Sequence, residues 1–223
     1  MASRSAETPN VPVRQKRDAE STRLRLLEAA RREFSARGLE GARVHAIASG
    51  AKINKQLVYH YFKNKDELYT LVLEDAYRRF RRENIELIER MEPEDSVRYL
   101  AQLLFDGFKN LRQEIAIIGD ENIHKARHVK QSPAIKEMHR PLAQLMQSIV
   151  ARGEAKGTIR KGIDPLHLFI YLLSISSVFF SNIYTLSAIF GRDLATQKEA
   201  DAWRDFVGDV AYNAVRASPD DEA

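Results

Sequence analysis

Apolar residues recur three and four positions apart along most of the chain, which is the spacing of amphipathic helices. The first helix is predicted to begin near Asp18 or Ser21 and to run to Arg37, with Gly38 placed to end it. Its apolar stripe consists of Leu24, Leu27, Ala30 and Phe34. No run of residues alternates as a strand would, so the pattern predicts an all-α protein.

Residues 42–68 are predicted to form two short helices joined by a tight turn and followed by a third, longer helix. Val44, Ile47 and Ala48 give the first short helix one inward face, and Val58 and Phe62 give one to the second. Asn54 is the predicted N-cap of the second helix, because its side chain can accept a hydrogen bond from a free amide. This helix-turn-helix order is typical of proteins that place one helix in a DNA groove.

The longer helix is predicted to begin at Asn64, whose spacing to Glu67 resembles a capping box, and to continue to Arg90 before Pro93. Beyond Pro93, five further helices are predicted near residues 95–112, 114–129, 133–156, 165–189 and 196–216. Pro141 should kink or break the third of these unless the helix begins there. The second half of the chain is therefore predicted to be a helical bundle.

Four regions follow from this pattern. Residues 1–17 contain prolines and basic residues without periodicity and are predicted to form a flexible basic arm. Residues 18–66 are predicted to form the helix-turn-helix DNA-binding domain, and residues 67–217 a second helical domain, for which the family resemblance described below implies ligand binding and dimerisation. Residues 218–223 are predicted to be a disordered tail.

Composition and charge narrow the class of protein. Hydrophobic residues make up 44% of the 223 positions, which is enough for a sizeable core. Without cysteine there are no disulfides or thiolate metal sites, and since the N-terminus lacks the apolar stretch of a signal peptide, we expect a cytoplasmic protein. Through Lys65 there are 14 Lys and Arg against 6 Asp and Glu, a net charge of +8, whereas the remainder carries −4. The basic charge lies in the same part of the chain as the helix-turn-helix pattern, as expected if that segment contacts DNA phosphates. The alternative is that these charges form an ordinary solvated surface.

Residues 21–73 resemble the DNA-binding domain of the TetR family of bacterial transcriptional regulators. The matching positions are Leu26, Leu27, Ala29, Ala30, Phe34, Gly38, Val44, Ile47, Ala48, Ala51, Ile53, Val58, Tyr59, Tyr61, Phe62, Lys65 and Leu68. The later stretch Ser181–Gly191 resembles the C-terminal domain of the RutR-like branch of that family. The resemblance implies a homodimer that binds a DNA operator and responds to a small molecule.

The resemblance places DNA contacts at two groups of positions. Base edges would be read by His45, Lys55, Gln56, Leu57 and His60, because a lysine suits guanine acceptors, an amide suits adenine and a leucine packs on the thymine methyl. Tyr59, Tyr61 and Lys65 match the phosphate-contacting positions of the family, and Arg43 and Lys52 are predicted to contact phosphates through their charge. The alternatives are that the two tyrosines pack against neighbouring helices, that His60 contacts a phosphate and that His45 is a plain surface residue.

Two residues depart from the family pattern. Lys52 stands where the turn usually has glycine, so a left-handed backbone there would cost on the order of 1 kcal/mol relative to glycine. Ala42 stands where a threonine or serine often caps the second helix, so that cap is predicted to be missing. Arg43 can substitute electrostatically.

Dimerisation is predicted to use the last two helices. No charged residue occurs from Leu168 to Gly191. The predicted interface residues are Ser174, Ser177, Ser181, Trp203, Phe206, Val210 and Ala214. One alternative is that these helices are buried within one monomer. The other is a membrane span, but the small polar residues argue against it, as does the helix start at Asp164 and Pro165, which is typical of a soluble protein.

Enzyme chemistry and cofactors are not indicated. Residues 157–162 mimic the spacing of a phosphate loop, but Ile163 and Asp164 replace the required lysine and hydroxyl. Glu121, His124 and His128 would share one face of a helix and could bind a divalent metal ion there. A metal site remains an open alternative, because the sequence shows no clear fourth ligand. His124, His128, Tyr171 and Phe179 are the predicted effector-binding residues, and an uncharged pocket beside them would favour a neutral or aromatic ligand.

The sequence thus predicts a transcriptional repressor that binds a palindromic DNA operator as a homodimer and is released by a small-molecule effector. The alternatives are a non-specific DNA-binding protein or an activator of the same fold and, less consistent with the pattern, a membrane-associated helical protein.

Overall fold

A computed structural model describes residues 13–81 and 85–217, with side chains from Asp18 onward. Residues 1–12 of the predicted arm and the predicted tail at 218–223 lie outside the described residues. The described part contains eleven α-helices: α1 (Val13–Gly41), α2 (Val44–Gly50), α3 (Lys55–Tyr61), α4 (Lys65–Phe80), α5 (Ile85–Arg90), α6 (Pro93–Asn110), α7 (Arg112–Ile123), α8 (Arg127–Gln131), α9 (Pro133–Lys156), α10 (Pro165–Phe190) and α11 (Gln197–Val215). Its only β-type pairing is an isolated bridge between Ile159 and Arg216. The all-α prediction is confirmed.

The first helix is longer than predicted. It begins at Val13, so residues 13–17 of the predicted flexible arm are helical, because this segment consists mainly of good helix formers. At Gly38 the backbone leaves the helical region, with φ 64° and ψ 179°, and one more turn follows to Gly41. Gly38 therefore ends the straight part of α1, as predicted.

Three predicted helices differ in the structure. The helix from residue 64 ends at Phe80, and Ile85–Arg90 is a separate helix. The segment 114–129 is two helices, because Lys125 and Ala126 adopt left-handed φ values of 56° and 57° between α7 and α8. In contrast, α9 continues through Pro141, where the chain faces solvent and the carbonyl left without a partner can be hydrated.

Two hydrophobic cores lie along the chain. The N-terminal core joins α1–α4 and includes Ile117 of α7 and Ile135 of α9. The C-terminal core is built from α5, α6, α9, α10 and α11. A small aromatic cluster around Phe105 and Phe179 adjoins it. Since α4 packs within the N-terminal core and its last residue, Phe80, packs against the C-terminal core, this helix physically connects the two parts.

Candidate nucleic-acid interface

The connection between α2 and α3 is closed by local hydrogen bonds. The amides of Ala51 and Ile53 donate to the carbonyls of Ile47 and Ala48 at 2.9 and 3.0 Å. Lys52 adopts the left-handed conformation predicted from its place in the family's turn, with φ 56°. Asn54 accepts a hydrogen bond from the amide of Gln56 at 2.9 Å and so caps α3. These bonds hold α3 at a defined angle to α2.

The outer face of α3 carries four of the predicted base-reading residues, and the fifth, His45, lies on α2. All five predicted side chains are exposed: His45, Lys55, Gln56, Leu57 and His60. The opposite face contributes Val58, which is 2% exposed, to the N-terminal core. The ammonium of Lys55, the amide of Gln56 and the imidazole of His60 therefore lie on the solvent-facing surface of α3 and not in the core.

The predicted phosphate-contacting residues border this surface. Arg43, Lys52 and Tyr59 are exposed, and Tyr59 retains 48% of its accessible surface. Tyr61 is half-buried and its ring packs against the N-terminal core, as expected from the alternative that this tyrosine packs against neighbouring helices. Lys65 places its ammonium 3.4 Å from the carbonyl oxygens of Glu40 and Ala42, at the junction of α4 with the α1–α2 connection.

The helix caps agree with the sequence in part. Asn64 accepts the amide of Glu67 at 2.8 Å, as predicted, but the Glu67 carboxylate accepts the amide of Lys63 at 2.6 Å. The reciprocal half of the capping box is thus shifted by one residue. The missing side-chain cap of α2 is confirmed, since Arg43 makes no capping bond and its amide donates to Glu33 instead.

Carboxylates of α7 attach the DNA-binding helices to the rest of the protein, and no short-range sequence pattern points to them. Glu114, 3% exposed, lies 2.5 Å from the Arg31 guanidinium. Partial burial lowers the pKa of Arg31, but the hydrogen bonds to Glu28 and to Glu114 outweigh this effect and raise that pKa overall. Asp120 accepts hydrogen bonds from the Leu39 amide at 2.8 Å and the Tyr69 hydroxyl at 3.0 Å. Burial and then the Asp120 charge raise the pKa of Tyr69.

The structure pairs His124 and His128 with carboxylates, and their role in effector binding stays a prediction. His128 is 3% exposed, and its Nδ1 lies 2.7 Å from Glu121, whose other oxygen accepts the His128 amide at 2.6 Å. Its Nε2 lies 3.3 Å from Asp66, which also pairs with Arg127. His124 caps α7 beyond the helix and faces Asp120. Among the described residues no group of three His, Cys, Asp or Glu side chains could hold a metal ion. The turn after α7 separates the two histidines.

Tyr171 and Phe179 are not neighbours in a common pocket. Phe179 is 4% exposed and stacks on Trp203 with ring centroids 5.7 Å apart, so it belongs to the aromatic cluster. In the structure the Phe179 ring is part of this cluster, and its role in effector binding stays a prediction. Tyr171 lines an open cavity of about 400 Å³ beside Arg160 and His167.

The outer face of α10 is uncharged and largely uncovered, and α11 exposes the large apolar ring of Phe206. Exposed apolar side chains there are Leu166, Ile170, Val178, Tyr184, Ile189 and Phe206. Length and composition alone would let α10 cross a membrane, and 28% of its apolar window is buried within the chain. The hydroxyls of Ser174, Ser177 and Ser181 donate to carbonyls of their own helix, so these three donors are satisfied within α10.

The predicted interface residues divide between this face and the interior. Ser174, Ser181 and Phe206 are exposed. Half-buried side chains include Ser177, Trp203, Val210 and Ala214. For Trp203 the alternative of burial within the monomer describes much of its ring, since it packs between Phe179 and Phe206.

Comparison with known proteins gives consistent matches along the chain. Residues 26–72 match the family model described as bacterial regulatory proteins, tetR family, and residues 93–211 match that of the tetracyclin repressor-like C-terminal domain. The transcriptional repressor NicS of Pseudomonas putida is 30% identical over 199 residues, which cover 89% of this chain and 94% of NicS. The repressor SCO4008 of Streptomyces coelicolor is 52% identical over 58 residues, or 26% of this chain and 30% of that protein.

A solved structure supports the same fold. The TetR family transcription regulator from Marinobacter aquaeolei VT8 superposes with a TM-score of 0.66 at 18% identity, over 92% of this chain and 100% of that chain. These matches do not test the resemblance of residues 181–191 to the RutR-like branch, which stays a prediction.

Proposed function

Since the chain belongs to the TetR family of ligand-responsive DNA-binding regulators, which are not enzymes, we propose that it represses transcription by binding a palindromic operator as a homodimer. The observation that carries this proposal is the outer face of α3, where Lys55, Gln56 and His60 are all exposed. Each is a side chain that can recognise a base edge in the major groove. A repressor of this kind would act in the bacterial cytoplasm.

Within each half-site, Lys55 and Gln56 are proposed to read base edges together with His45, Leu57 and His60. Arg43, Lys52, Tyr59, Tyr61 and Lys65 are proposed to contact phosphates and so fix the register of α3 in the groove. The Lys65 ammonium supports this assignment by its position, because it sits at the N-terminus of α4, where the helix dipole also attracts an anion.

Two copies are proposed to associate through the uncharged outer face of α10 and the exposed Phe206 of α11. The face carries no charged side chain from Leu168 to Gly191, and Phe206 of α11 is 54% exposed in the single chain. Burial of such a face removes a large apolar area from water. In the DNA-binding state the two α3 helices should lie about 34 to 36 Å apart, or a multiple of that distance.

Release of DNA is proposed to follow binding of a small molecule in the C-terminal bundle. Residues from Leu68 to Ala76 of α4 lie in the N-terminal core, and Phe80 packs against the C-terminal core. A ligand that favours a different position of the α4 C-terminal end would shift the population towards dimers whose α3 spacing does not match the operator. The ligand weakens DNA binding only by its differential affinity for the two states.

Selection of bound DNA from a random-sequence duplex library, at near-physiological salt, tests the proposal. We expect enrichment of a two-fold symmetric motif, which is lost when Lys55 and Gln56 are both replaced by alanine. Lys125→Ala is the matched control, because Lys125 is exposed in the turn after α7 and lies away from α3. Salt-sensitive binding without enrichment would indicate a non-specific DNA-binding protein instead.

The same enriched operator distinguishes repression from activation. Placed across a promoter that drives a reporter gene, it should lower expression when the protein is present. Higher expression would identify an activator of the same fold and would contradict the repressor assignment.

A further inference from the structure

A cavity of about 270 Å³ opens between the end of α4, the middle of α9 and the start of α10. Its walls are mainly apolar and include Leu142, Met146 and Phe169. The polar side chains in the lining are Arg81, His139 and Gln147, and no acidic residue of the described chain lines it. The size lies just below the range of about 300 to 1,000 Å³ usual for ligand pockets, so it suits a small molecule.

Arg81 brings a permanent positive charge to this apolar cavity. Its guanidinium carbon lies 5.0 Å from the centre of the Phe169 ring and 5.9 Å from that of Phe80, so two aromatic rings orient its plane. A guanidinium has five N–H donors, so it can hold a ligand carboxylate in addition to a protein partner. An anion is the charge type that such a cavity accepts most favourably, because apolar walls weaken screening.

His139 is a second polar group whose orientation is determined by its neighbours. Its Nδ1 lies 2.7 Å from the carbonyl oxygen of Ile135, and since a carbonyl only accepts, Nδ1 carries the hydrogen. The ring also meets Tyr77 edge-on, with centroids 4.9 Å apart. The imidazole is therefore positioned before a ligand arrives.

The position of this cavity separates it from the larger cavity beside Tyr171. The larger cavity is lined by residues from 160 onward and contains no residue of α4. The smaller cavity includes Arg81, the C-cap residue directly after α4, so its occupant touches the end of the helix that joins both cores.

We propose that the effector is a small organic anion with an apolar body, held in the cavity between α4, α9 and α10. Its carboxylate binds Arg81, and its body packs on Leu142, Met146 and Phe169. This inference rests on the proposed function, because it identifies the ligand class of that regulator. It replaces the effector site predicted at residues 124, 128, 171 and 179, and it replaces the expectation of a neutral ligand.

Isothermal titration calorimetry on the full-length protein tests the ligand class. The probes are hexanoate, cyclohexanecarboxylate and 3-phenylpropionate, each paired with its own neutral amide. We expect at least one acid to bind at least tenfold more tightly than its amide. Arg81→Gln should weaken that acid by roughly ten- to a hundredfold, as expected for loss of a charged hydrogen-bond partner.

Two further variants make the result specific to the cavity. Arg78→Gln is the matched control, because Arg78 lies on the same helix, is 62% exposed and pairs with Asp75 outside the lining. It should leave acid binding unchanged. Ala143→Trp should abolish acid binding, because Ala143 is an exposed residue of the lining where a large ring fills the opening.

Failure of this inference can be told apart from failure of the proposed function. If no acid binds below millimolar concentration, if the amides bind equally well, or if Arg81→Gln changes nothing, the anionic class is wrong. Enrichment of a symmetric DNA motif by the same preparation would then leave the repressor assignment intact. Acid binding that depends on Arg81, together with no DNA selection, would support the site and contradict the repressor.

Discussion

Substitution of Gly38 by alanine tests the attachment of the DNA-binding helices to α7. Gly38 has φ 64° and ψ 179°, a backbone conformation that is essentially restricted to glycine. A Cβ at this position would lie 2.4 Å from an Asp120 carboxylate oxygen. The same carboxylate accepts hydrogen bonds from the Leu39 amide and the Tyr69 hydroxyl, so the substitution displaces their acceptor.

The expected loss of stability has two parts. Backbone strain contributes about 1 to 3 kcal/mol. Displacement of Asp120 from the Leu39 amide removes a hydrogen bond to a charged group, which contributes about 1.5 to 3 kcal/mol. We therefore expect Gly38→Ala to lower the free energy of unfolding by about 2.5 to 6 kcal/mol.

Gly157→Ala is the matched control. Gly157 also has positive φ, at 68°, but a Cβ there meets no atom within 4 Å. Only the left-handed backbone penalty of about 1 kcal/mol applies. At equal protein concentration, thermal unfolding followed by circular dichroism should give a Tm for Gly38→Ala about 5 to 10 °C below that of Gly157→Ala.

A double substitution separates clash from strain. In an Asp120→Ala background, the added Cβ at Gly38 no longer meets the carboxylate, so the further loss caused by Gly38→Ala should fall to the backbone part alone. If Gly38→Ala and Gly157→Ala melt within about 2 °C of each other, the reasoning about this contact is wrong.

Three further predictions concern DNA binding, assembly and pH. Lys65→Ala should weaken binding similarly on all DNA sequences and lower the salt slope by about one, whereas Gln56→Ala should relax the preference at one base pair of each half-site; an unchanged preference would remove Gln56 from the base-reading set. Phe206→Lys should convert the dimer to monomers in analytical ultracentrifugation, whereas Leu24→Lys, at a 58% exposed position on α1, should not; a dimer in both would place the interface elsewhere. Because burial raises the pKa of Tyr69 above that of the unfolded chain, the stability its neutral phenol provides is present below about pH 10 and lost above it. Tyr69→Phe should flatten the alkaline loss measured by urea unfolding, and an identical pH dependence in both proteins would contradict this.

Local features of the DNA-binding region could be predicted from sequence. The apolar spacing around Val58, the Asn54 cap and the left-handed Lys52 all occur as expected. Each depends on residues within about one helical turn, so a short stretch of sequence contains all the partners. The hydrogen bond of Glu67 shows the limit of such predictions. Its carboxylate accepts the amide of Lys63, whereas a capping box would use the amide of Asn64, the next residue in the sequence.

Helix boundaries in the second half were harder to predict. Apolar periodicity continues across residues 114–129, yet the chain turns at Lys125 and Ala126. The turn is stabilised by Glu121, which accepts the amides of His128 and Val129 at 2.6 and 3.1 Å. One continuous helix and two helices separated by a turn would show the same apolar spacing over these residues. Periodicity alone therefore cannot distinguish the two structures.

The sequence by itself determined the all-α class, the helix-turn-helix and the uncharged face of α10, because these follow from residue types at short spacings. Only the tertiary structure decided which side chains meet: Asp120 with Leu39 and Tyr69, Phe179 with Trp203, and the residues around the cavity at the end of α4. The physical reason is that an apolar or acidic residue has many suitable partners. The packing of segments distant in sequence selects one of them.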